Sequence, residues 1–89
     1  MENNKIVTIP VGRKQLWVYV TACITSFNSG YQKVMVRGRG REISKAVDVV
    51  NALKNSFLSD LRIDEIRITS DKIEDKNLSK PVIEIIISK

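Results

Sequence analysis

The chain has 89 residues, 15 Lys/Arg against 10 Asp/Glu, no histidine and one cysteine, giving a net charge of +5 at pH 7. Those counts exclude an internal disulfide and every histidine-based catalytic or metal site. They also exclude a large core, because a domain of this size buries only about 60–65% of the surface its unfolded chain exposes. The basic balance favours a polyanionic partner, and it is uneven: residues 1–45 carry eight Lys/Arg against Glu2 and Glu42, whereas residues 46–89 carry seven against eight acids. No apolar run approaches the ~20 residues needed to cross a bilayer, and the N-terminus lacks a secretion-signal layout. One domain spanning residues 1–89, in the cytoplasm and away from membranes, is expected.

Lys5 to Val11 (KIVTIPV) is rich in β-branched residues and reads as a first strand ending near Pro10. Gly12-Arg-Lys14 turns the chain. From Gln15 to Asn28, apolar residues at Leu16, Tyr19, Val20, Cys23, Ile24 and Phe27 follow one helical face, and Gly30 supplies the stop. Cys23 on that stripe reads as a buried hydrophobe; Trp17 lies off it. Gln32 to Arg37 (QKVMVR) is a second strand, and Gly38 and Gly40 turn the chain into a second helix from about Glu42 to Leu58. The inner stripe of that helix is predicted at Ile43, Ala46, Val47, Val50, Leu53 and Phe57. Leu61 to Ser70 is a strand whose apolar phase slips at Asp64-Glu65, which predicts a bulge. The polar stretch Asp71–Lys80 reads as a long connection, and Val82 to Ser88 as the last strand. The order predicts an α/β two-layer sandwich, β-α-β-α-β-β, with a mixed four-stranded sheet and two helices on one face. Val49 and Ile86 fall outside the inner phases, so a subunit contact through the second helix and last two strands is expected.

Catalysis finds no support. The cysteine reads as buried, the pairs Asp64/Glu65 and Glu74/Asp75 read as solvated surface, and the glycine-rich turn lacks the order of a phosphate loop. No cofactor is implied. The informative stretch is Arg37–Asp48, RGRGREISKAVD, where Arg37, Arg39 and Arg41 alternate with glycines before a helix and Lys45 follows one turn on. The arginine fork matches phosphate, and the helix start adds outward N–H groups. Arg13 and Lys14 occupy the other strand-to-helix turn. In a strand–helix–strand–helix layout both turns emerge on one sheet edge, so the two clusters converge into a phosphate-binding surface.

RGRGREISKAVD, together with Val49–Lys54 (VVNALK), closely resembles the Alba (Sac10b) family, small dimeric nucleic-acid-binding chromatin proteins of archaea, and the resemblance extends from Ile6 to Ile87. It implies the same fold and a sequence-nonspecific protein that coats or bridges double-stranded DNA as a dimer, on the chromosome, with RNA as a further ligand. It places nucleic-acid contacts at Arg13, Lys14, Arg39, Arg41 and Lys45. The hairpin lysines Lys72, Lys76 and Lys80 would reach along the minor groove, and Phe57 would mediate contact between dimers. The first loop lysine, a site of acetylation in the family, is Arg13 here, and Asp71, Glu74 and Asp75 leave the hairpin nearly neutral. The alternative is an RNA-binding subunit of an RNA-processing particle of the ribonuclease P type, or an RNA chaperone; such relatives form mixed dimers with a paralogue. The topology also resembles the C-terminal domain of bacterial translation initiation factor three, so fold alone does not separate DNA from RNA.

Overall fold

The computed structural model describes residues 5–73 and 78–89, the side chain of Phe57 excepted. Its elements run β1 (Ile6–Val11), α1 (Leu16–Asn28), β2 (Lys33–Arg39), a 3₁₀ turn (Gly40–Glu42), α2 (Ile43–Ala52), a π-helical turn (Leu53–Phe57), β3 (Arg62–Ile73) and β4 (Leu78–Ser88). One four-stranded sheet is ordered β1-β2-β4-β3, with β1 parallel to β2 and β4 antiparallel to both neighbours. The predicted element order and mixed sheet are therefore present.

The sheet buries one face under the helices. Val34, Val36 and Gly38 of β2 alternate with Lys33, Met35, Arg37 and Arg39, so the buried set faces inward and Met35 and the cations face outward. On α1 the stripe Tyr19, Val20, Cys23 and Phe27 is buried, and Gly30, at φ 104°, closes the helix as its N–H reaches the Phe27 carbonyl. Ala46, Val49, Val50 and Leu53 form the buried stripe of the second helix. Gly38 is required by close approach: a Cβ there would stand 2.6 Å from the Glu42 carbonyl oxygen and 2.8 Å from the Ala46 Cβ.

Several expected details are corrected. The second helix is rotated, so Val49 is fully buried and Val47 is exposed. Ile86 is buried within the chain, but on the face away from the helices, between Met35 and Glu65 in register. There Arg37 and Arg67 reach Glu84 from either side, at 3.2 and 3.8 Å. Gly38 belongs to β2 and only Gly40, at φ 59°, makes the turn. The stretch expected as a long connection continues both strands into a ribbon, with Asp71 opposite Lys80, Lys72 opposite Ser79 and Ile73 opposite Leu78. The predicted bulge lies between Ile63 and Glu65. It brings Ile63, Ile66 and Ile68 onto one face, opposite Ile87, Ile85 and Ile83.

Candidate nucleic-acid interface

Parallel pairing of β1 with β2 puts the turn after Val11 and the turn after Arg39 at the same end of the sheet. There an open concavity of about 720 Å³ is lined by Val11, Gly12, Arg13, Arg39, Arg41, Glu42 and Lys80. Four cationic side chains thus meet one carboxylate. Lys80 arrives from the ribbon, its stem passing over Gly40, where a Cβ would sit 3.6 Å from its Cδ. Arg13, Arg39, Arg41 and Lys80 are all exposed, which suits ligands that carry their own negative charge.

The turn carrying Arg13 and Lys14 is held from behind. Lys45 Nζ donates to the Gly12 carbonyl at 2.8 Å and the Lys14 carbonyl at 2.9 Å, and lies 3.5 Å from the Glu42 carboxylate. The same ammonium sits 6.0 Å from the centre of the Tyr19 ring. The buried Tyr19 hydroxyl accepts from the Lys14 N–H at 3.0 Å. One lysine of α2 therefore ties the first basic turn to the second and neutralises Glu42, the carboxylate in the lining. At the helix start, the 3₁₀ turn directs the Ile43 N–H to the Gly40 carbonyl, so that donor is satisfied internally.

The expected contact residues separate into groups. Arg13, Arg39, Arg41 and Lys80 come together; Lys14 is exposed on the same turn, outside the lining. Lys45 lies behind the surface with its ammonium engaged. Arg37 lies half-buried on the open sheet face, donating to both Asp71 oxygens at 2.9 and 3.0 Å and to Glu84 at 3.2 Å. Those hydrogen bonds hold the guanidinium pKa above its ordinary value. Lys72 is exposed on the ribbon, outside the concavity. Lys76 lies outside the described residues, as does the Phe57 side chain. Asp71, expected only to offset the charge of the hairpin, also approaches Arg39 at 3.5 Å; no sequence pattern signals its pairing with the two arginines, which depends on the ribbon.

Among the described residues no group of three Cys, Asp or Glu side chains is placed to hold a metal ion. Burial pushes the Cys23 thiol up to about 12, so it carries no thiolate at neutral pH.

The Alba family model matches residues 7–74. Over 81 residues the chain is 41% identical to the DNA/RNA-binding protein Alba 1 of Archaeoglobus fulgidus, covering 89% of this chain and 91% of that protein. Among solved structures, Alba from Thermoplasma volcanium superposes with a TM-score of 0.84 at 33% identity, covering 96% of this chain and all of that one. ALBA1 from Trypanosoma brucei shares the fold, with a TM-score of 0.80 at 22% identity over 100% of this chain and 71% of that one. The chain belongs to the Alba family.

Proposed function

We propose that this chain is a sequence-nonspecific double-stranded-DNA-binding protein of chromatin that acts as a dimer, coating or bridging DNA, and that it also takes RNA. The observation that carries this is the convergence of Arg13, Arg39, Arg41 and Lys80 from two turns and a ribbon on one exposed concavity. Spread guanidinium and ammonium groups suit a run of phosphates, and phosphate contacts position a protein without specifying sequence. The DNA/RNA-binding relative from Archaeoglobus supports the same assignment. The dimer rests on an apolar groove between α2 and the β3–β4 pair, lined by Val47, Val50, Ile63, Ile66, Ile83 and Ile85, which a second copy would cover. A place on the chromosome, within the cytoplasm, follows from that ligand.

Replacing Arg39 and Arg41 by alanine tests the assignment. Affinity is expected to fall by a similar factor on unrelated duplexes. The slope of log affinity against log salt should become shallower by ~0.9 for each phosphate that is no longer neutralised. The thermal midpoint should hold, because both side chains are exposed. Loss confined to one sequence with the slope unchanged would show base readout instead.

A further inference from the structure

Trp17 is 63% exposed, an unusual position for the chain's single tryptophan. It sits in the first turn of α1, three residues after Lys14, and its Nε1 donates to the Gln15 side-chain oxygen at 2.8 Å. Side chains on a helix lean toward its N-terminus, and here the N-terminus leads directly into the turn that bears Arg13 and Lys14. The backbone of that turn is pinned by Lys45 and Tyr19, so Arg13 and Lys14 project from fixed positions next to the start of α1. The buried stripe of α1, Tyr19, Val20, Cys23 and Phe27, is formed without the indole. A large exposed aromatic face beside a phosphate-binding surface is the combination that single-stranded nucleic acids use, with bases stacking on rings while cations follow the backbone. Bases stacked inside a duplex offer no free face of that kind.

We propose that Trp17 is a stacking platform for an unpaired base, so that the surface around Arg13 and Lys14 also binds single-stranded nucleic acid. The proposal rests on the nucleic-acid assignment above and adds a strand-state preference to it. The Gln15 hydrogen bond orients the ring, and Arg13 and Lys14 take the flanking phosphates.

As the chain's single tryptophan, Trp17 reports on its own environment. Oligothymidylate and a duplex of unrelated sequence are each titrated at fixed salt while tryptophan emission is followed, with Trp17→Ala and Trp17→Phe measured by anisotropy of labelled oligonucleotide. Expected are strong quenching by the single strand and weak quenching by the duplex. Trp17→Ala should weaken single-strand binding by about tenfold, the loss of one base stack. It should leave duplex binding within about twofold, and Trp17→Phe should keep most of the single-strand affinity. Unquenched emission at saturating oligothymidylate would overturn the proposal, as would equal losses on both ligands. A Trp17→Ala protein with intact single-strand affinity but altered light scattering would assign the ring to a protein contact instead. If the unaltered protein bound neither nucleic acid, the underlying assignment itself would fall.

Discussion

Lys45 shows how a residue expected to meet phosphate can be engaged within the chain instead. Its place one helical turn after Arg41 suggested a phosphate ligand, but its ammonium is engaged by two backbone carbonyls and the Glu42 carboxylate. Those carbonyls lie more than thirty residues earlier in the chain, so no local pattern announces them. Trp17 and Cys23, by contrast, were legible from helical phase alone, one off the apolar stripe and one on it. We propose that Lys45 is a positioning residue for the Arg13–Lys14 turn. Lys45→Met, which keeps the stem and removes the charge, should lower duplex affinity at every salt concentration while leaving the salt slope unchanged. Exchange of the Lys14 amide should accelerate, and stability should fall by about 1–3 kcal/mol, as for charged hydrogen bonds removed from a partly exposed site. A slope shallower by ~0.9 per chain would instead show that Lys45 touches phosphate directly.

Among the elements, the strands on the core were legible and the ribbon was not. β1 and β2 show alternation because one face is buried, and the phase slip at Asp64-Glu65 located the bulge. Beyond Ser70 no helix covers the sheet, so pairing there rests on backbone hydrogen bonds and leaves no hydrophobic alternation to read. That hidden pairing brings Asp71 between Arg37 and Arg39. Hydrogen bonding from Arg37 lowers the Asp71 pKa, so the pairing is intact above the ordinary carboxylate range and is lost only as pH falls through the lowered value. Under the proposed function, this carboxylate competes with phosphate for Arg39 at neutral pH. Asp71→Asn should therefore tighten duplex binding and steepen the salt slope, by up to ~0.9 for each arginine that gains a phosphate. Weaker binding in this variant would show that Asp71 serves chiefly to aim the two arginines.

At the scale of the whole molecule, the sandwich is left open along one side. The helices cover β1, β2 and β4, while the edge strand β3 turns Ile63, Ile66 and Ile68 toward the helix side without cover, Ile68 being 80% exposed. With Val47, Ile63 and Ile66 border the groove beside α2, and the surplus apolar surface lies here and at Ile68 rather than at Val49 and Ile86. Composition had indicated the surplus, but its residues depend on how α2 is rotated over Gly38, which periodicity does not reveal. A lasting dimer needs about 800 Å² buried on each partner, and this face offers a continuous apolar centre for it. A second copy would double the number of cationic concavities on one particle. Ile66 is 56% exposed in the single chain, so Ile66→Asp should fold yet scatter light as a monomer. Its duplex salt slope should shrink as each particle loses half its cations. Thr69→Asp places the same charge on the opposite face of β3, opposite Val82, and should remain dimeric. If Thr69→Asp dissociates the protein and Ile66→Asp does not, the subunits join through the open sheet face, and the lattice around Arg37 and Glu84 lies at their interface.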